Sequence, residues 1–163
     1  LRLGAPTLMN LSSGYHKLDG LFVTLGGWLQ PALLLVIRGW WGWSFFLTGK
    51  GKLLNLEKTT GFFTELGLPL PKLNAILAGS TECFGGLLLL VGLGSRLVSV
   101  PLISTMLVAY ATADREALQA VFNDPDKFTG AAPFLFLLTC LIVFAFGPGK
   151  LSLDALLFKN SAT

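Results

Sequence analysis

The sequence predicts an all-α integral membrane protein: a four-helix bundle with a short interfacial helix between spans one and two. Hydrophobic residues make up 53% of the 163 and charged residues only 13%, with a mean hydropathy of +0.69, whereas soluble domains are about a quarter charged. The apolar residues gather in runs of about 20, enough at about 1.5 Å per helical residue to cross a roughly 30 Å hydrocarbon core. Gly, Pro and charged residues punctuate the runs, so the chain turns back between them.

Residues 1–27 carry Gly, Ser and Pro with short apolar pieces and read as an extramembrane N-terminal arm. Within it, Leu18 to Leu25 is apolar enough to lie on a membrane surface or a partner, but too short to span. Residues 28–158 form the membrane domain and 159–163 a tail, with spans at 28–49, 73–93, 97–113 and 131–147. Span one carries Pro31 in its first turn, where a missing N–H does no harm. At about 100° per residue Arg38, Gly42, Phe45 and Gly49 share one face, and Trp40 and Trp43 point away from it.

Asn55 to Leu66 mixes Leu56, Phe62, Phe63 and Leu66 with Glu57, Lys58 and Glu65, as a helix lying in the interface would. Gly67 can end it in a left-handed turn, and Pro69 and Pro71 stop it resuming. Span two places Gly79, Glu82 and Gly86 together, a small-residue face that matches span one. Gly92-Leu-Gly94-Ser-Arg96 is a tight turn, so span three follows antiparallel. Asp114 to Phe122 continues that helix and Asn123-Asp-Pro-Asp126 breaks it. The acids Asp114, Glu116, Asp124 and Asp126 lack calcium-loop spacing and imply no metal. Thr129 is expected to cap span four, with Pro133 in its first turn.

Arg38 and Glu82 are charges within apolar runs. An isolated Arg at the bilayer centre costs about 2.5 to 3.5 kcal/mol, so such groups face inward and pair. With spans one and two antiparallel, the two are expected to form a structural ion pair that fixes register, over a helix contact made by Gly42, Gly49, Gly79 and Gly86. The same two residues are the catalytic candidates for proton or quinone chemistry. Trp40, Trp41, Trp43 and Phe45 are candidates for quinone, lipid or pigment contact.

Several function classes lose their parts. Twelve Lys and Arg are scattered, without the dense patch a nucleic-acid partner requires. Cys83 and Cys140 fall in different runs with no C-x-x-C, against a dithiol oxidoreductase. His16 is the only histidine and lies in the arm, so the spans lack the usual haem and copper ligands and the base that Ser44, Ser80 or Ser104 would need as a nucleophile. No intrinsic cofactor is expected.

Six short motifs then occur in order: Arg38; Gly49-Lys-Gly-Lys-Leu53; Phe63-Thr-Glu-Leu-Gly-Leu-Pro69; Glu82 with Gly85-Gly86; Gly92-Leu-Gly-Ser-Arg96; and Gly147-Pro-Gly-Lys-Leu-Ser-Leu-Asp154. In this the chain resembles the DoxX family of small bacterial four-helix membrane proteins. It departs from the family pattern in its long arm and in the loss of family-typical polar or His residues in the loop after span three. The resemblance implies a four-helix fold in the bacterial cytoplasmic membrane and links to quinol oxidases, thiosulfate oxidation and redox homeostasis. The leading expectation is an accessory subunit, without a redox metal, that packs among lipids and larger subunits of a respiratory or photosynthetic electron-transfer complex. The alternative is a quinone-linked oxidoreductase subunit using Arg38 and Glu82. Four spans put both termini on one side. Arg2, Lys17, Arg96, Lys150 and Lys159 there face Lys50, Lys52, Lys58, Lys72, Arg115 and Lys127 opposite, a near-even split on the positive-inside rule; the termini are taken as cytoplasmic.

Overall fold

The computed structural model describes residues 5–158, with side chains from residue 15 onward except 17. Residues 1–4 of the expected arm and the tail 159–163 lie outside it. The described chain is helical with short connections: α1 (Ala5–Leu54), α2 (Leu56–Glu65), α3 (Pro71–Val91), α4 (Ser95–Thr112), α5 (Arg115–Gln119), α6 (Pro125–Thr129), α7 (Pro133–Phe146) and α8 (Leu153–Leu157). Among the described residues three helices are long and apolar enough to cross a membrane: Leu18–Leu54 within α1, α3 and α4. The fourth bundle member, α7, has 14 residues and is about 21 Å long.

The main departure from expectation is α1. No helix begins at Trp28; the arm from Ala5 and span one form one 50-residue helix with Pro31 in its interior. The apolar periodicity carries across residue 28, and Gly26 and Gly27 are absorbed into the helix. The helix runs on past Gly49 to Leu54, which brings Lys50 and Lys52 into α1. Asp114 to Phe122 divides into α5 and the turn before α6, and Thr129 closes α6 rather than capping α7, whose N-cap is Ala132. Pro133 does occupy the first turn of α7.

The helices pack in the order α1, α3, α4, α7, with α7 returning to α1 and α2 lying along α3. The closest pairing, α1 with α3, runs through glycine. A Cβ on Gly49 would meet the backbone of Cys83 and lie 2.6 Å from the Gly79 oxygen, and one on Gly86 would lie 2.5 Å from Phe46 N. A Cβ on Gly42 would lie 2.8 Å from Leu90 N. Removing side chains lets two backbones touch, the usual way apolar helices associate in lipid. Behind this seam Phe45, Leu89, Leu102, Met106, Cys140 and Val143 form the core.

Near the end of α4, Tyr110 stacks on Phe128 at 4.9 Å and donates to its carbonyl oxygen at 2.8 Å, tying α6 down. Lys127 bonds Glu116 at 2.9 Å across the loop. That hydrogen bond and charge hold the Glu116 carboxyl below its usual range, so what the exposed pair contributes is present near neutrality and lost on acidification.

Candidate functional site

The two intramembrane charges do not meet. The glycine contacts place Gly42 beside Gly86 and Leu90, and Gly49 beside Gly79 and Cys83, so Arg38 lies level with the end of α3. Glu82 is eight residues, or about 12 Å, deeper along α3. The expected Arg38–Glu82 ion pair is therefore replaced by two separate clusters, one for each charge.

Arg38, 1% exposed, is a clamp at the terminal end of the bundle. Its Nε donates to the Leu90 oxygen at 3.3 Å, Nη2 to the Leu151 oxygen at 2.6 Å and Nη1 to the Pro148 oxygen. The Leu90 carbonyl is among the last of α3, which have no intrahelical donor; here the guanidinium supplies it. Asp154 completes the arrangement from the other side. Its carboxylate accepts from Gly94 N at 2.7 Å and Ser95 N at 3.2 Å, capping α4, and its own N–H donates to the Gly92 oxygen at 2.9 Å. Gly92 has φ +76°, and a Cβ there would lie 2.6 Å from both Arg38 Nη1 and Ser152 Cβ. The first, fifth and sixth sequence motifs thus make one junction, in which the Arg38 and Asp154 side chains are engaged by backbone partners and the Ser95 hydroxyl oxygen is buried without one.

Glu82, also 1% exposed, takes its partner from α1: Lys52 Nζ lies 2.5 Å from Oε1. Lys52 lies beyond the expected end of span one at Gly49. The available signal was its spacing: it stands 14 residues after Arg38 and three after Gly49, on the same face of a continued helix. The other oxygen, Oε2, is buried without a hydrogen-bond partner. Glu82 lines a cavity of about 1150 Å³ between α1, α3, α4 and the start of α7, beneath α2. The walls are mostly apolar, including Phe45, Phe63, Met106 and Phe136, and Asn55, Lys58 and Asp114 lie toward the extramembrane end.

Of the aromatic candidates, only Phe45 lines this cavity, packed edge-on against Phe136 at 4.5 Å. Trp41 meets Phe136 at 4.9 Å from outside the cavity wall. Trp40 and Trp43 are 70% and 49% exposed on the outer face of α1.

The Lys52–Glu82 pair is open to a mutant cycle. Lys52→Met strands a buried carboxylate and should cost about 3 to 5 kcal/mol, whereas Glu82→Leu leaves a lysine that can reach water and should cost less. The double variant should recover most of the loss. Arg38→Met combined with Glu82→Leu should instead be additive within about 0.5 kcal/mol, because the two sites share no partner. Reversible unfolding in detergent mixtures measures both cycles.

A helical bundle in which three helices are long and apolar enough to cross a membrane defines the class as a helical membrane protein. The family model described as DoxX matches residues 33–115, and the chain belongs to that family. It is 33% identical over 126 residues to "Putative oxidoreductase CatD" of Bacillus subtilis (strain 168), a match covering 77% of this chain and 87% of the relative. It is 31% identical over 138 residues to "Uncharacterized membrane protein Rv3486" of Mycobacterium tuberculosis, covering 80% and 85%. No solved structure matches the chain.

Proposed function

We propose that this protein is a quinone-binding subunit of a larger membrane electron-transfer assembly, with the cavity at Glu82 as the ligand site. One observation carries the reading: a buried carboxylate oxygen without a donor, in the wall of a largely apolar cavity. Leaving such an atom unpaired costs about 1 to 3 kcal/mol or more. A hydroquinone would meet both features, with an apolar ring and a hydroxyl that donates. The relation to a protein named as an oxidoreductase supports redox chemistry.

When bound, a hydroquinone supplies two electrons and two protons. The electrons go to a metal- or flavin-bearing partner subunit, since this chain has only His16 among haem-type histidine ligands. Glu82 holds the donating hydroxyl at Oε2 and takes one proton there. Lys52 donates to Oε1 and orients the carboxylate. Phe45 and Phe136 flank the ring, and the second proton leaves toward water past Asn55 and Asp114 at the cavity end. Arg38, assigned to the junction, takes no part. Trp40 and Trp43 contact lipid, and the protein lies in the bacterial cytoplasmic membrane with both termini cytoplasmic.

The test is purification in mild detergent followed by mass spectrometry of bound small molecules and proteins, with decylubiquinol titration of the isolated chain. Quinone retained near stoichiometry, together with redox subunits, is the expected result. Glu82→Gln should weaken decylubiquinol binding about tenfold, the loss of one charge-assisted hydrogen bond, with the Lys52→Gln, Glu82→Gln double variant as the folded control. Absence of bound quinone and of saturable decylubiquinol binding would overturn the reading.

A further inference from the structure

Helix α1 is too long for the membrane that its bundle occupies. From Leu34, its first buried residue among the described side chains, to Leu54 is about 31 Å, one hydrocarbon thickness. Residues 18–33 extend about 24 Å farther, yet Leu18, Phe22, Leu25 and Leu29 there are exposed at 61%, 66%, 56% and 65%. Left straight, the helix would carry these side chains into water.

Their placement indicates what covers them. Leu18, Phe22, Leu25 and Leu29 continue into Val36, Trp40, Trp43 and Leu47, all exposed, and the eight positions fall within about 60° of helix arc. The arm therefore presents the same face that meets lipid within the bundle. Opposite that stripe Gly20, Thr24, Gly27, Gln30 and Pro31 are small or polar, with exposed Val23 and buried Leu34 as the apolar exceptions. Pro31 cannot donate to the Gly27 oxygen, and its ring pushes that carbonyl away. A helix opened in this way bends away from the proline. Pro31 sits about 150° from the centre of the stripe, so the bend is toward the stripe and away from the bundle. Gly26 and Gly27 lower the cost of opening there. An outward bend turns the outer face downward onto the bilayer, and Trp28, 80% exposed beside the bend, is of the type that settles at headgroup level.

We infer that the N-terminal part of α1 bends at Gly27 to Pro31 and lies along the bilayer surface as an amphipathic anchor, with Leu18, Phe22 and Leu25 inserted among the lipids. The occupant of this face is the lipid of the same leaflet, continuous with the lipid around the bundle. The inference does not depend on the ligand assigned to the cavity.

The test uses the full chain in phosphatidylcholine and phosphatidylglycerol vesicles, with a fluorophore on Leu25→Cys or, on the opposite side, Val23→Cys. Cys83 and Cys140 are buried and stay unlabelled in the folded protein. A headgroup-level nitroxide lipid should quench the Leu25 site about threefold more than the Val23 site, and aqueous iodide should show the reverse order. Pro31→Ala should reduce the contrast by straightening the helix. A Leu25 site unquenched by nitroxide lipid overturns the inference, whether it is open to iodide, as for a strut in water, or shielded by a second copy.

Discussion

Arg38→Met should destabilise the bundle by about 3 to 5 kcal/mol, read as a shift of the unfolding midpoint in mixed detergent micelles. The change removes the donors to three carbonyls, of Leu90, Pro148 and Leu151, while preserving an unbranched apolar stem. Each buried acceptor left unpaired costs about 1 to 3 kcal/mol, and the three lie on two segments, the end of α3 and the stretch after α7, so their loss frees the C-terminal segment from the end of α3. Asp154 then loses the geometry with which it caps α4. Arg38→Lys should recover little, since one ammonium on a flexible stem cannot match a planar fork directed at three separated oxygens. If Arg38→Met instead left stability unchanged, the clamp would be wrong, and a polar role elsewhere would have to account for a buried guanidinium.

Gly49→Ala should be nearly as damaging, by about 3 kcal/mol, although it adds one methyl group. The new Cβ would collide with backbone atoms of Cys83 and lie 2.6 Å from the Gly79 oxygen. Backbone in a helix cannot move without moving the helix, so α1 and α3 must separate along the whole seam. The comparison that isolates this effect is Gly39→Ala on the same helix, where nothing lies within 4 Å of the added carbon. It should be neutral or stabilise by up to about 1 kcal/mol through helix propensity. Opposite signs ten residues apart on α1 would separate packing from propensity; a similar loss at both positions would remove the close-contact explanation. Separation of α1 from α3 should also part Lys52 from Glu82 and weaken decylubiquinol binding, linking the seam to the proposed site.

Hydropathy and punctuation determined much of this protein. Apolar runs, the Pro69–Pro71 break and the Gly92–Gly94 turn made the helical membrane bundle and the α2 connection legible, because helix length and backbone satisfaction in lipid are local requirements. The glycine faces were legible too, and they held more information than the composition of either run. Setting Gly42 against Gly86 and Gly49 against Gly79 puts Arg38 level with Leu90, whereas judging depth from the middle of each apolar run put it level with Glu82. The second estimate failed because α1 has no start at Trp28 and its apolar stretch is longer than the bundle.

What only the tertiary structure decided was partnership. Lys52 reaches Glu82 because α1 continues past Gly49, and Arg38 finds backbone oxygens because a segment more than 100 residues later in the chain folds over it. A buried charge requires compensation, but it does not specify whether a carboxylate or a set of carbonyls provides it. Helix register, a property of two packed surfaces rather than of either run, makes that choice.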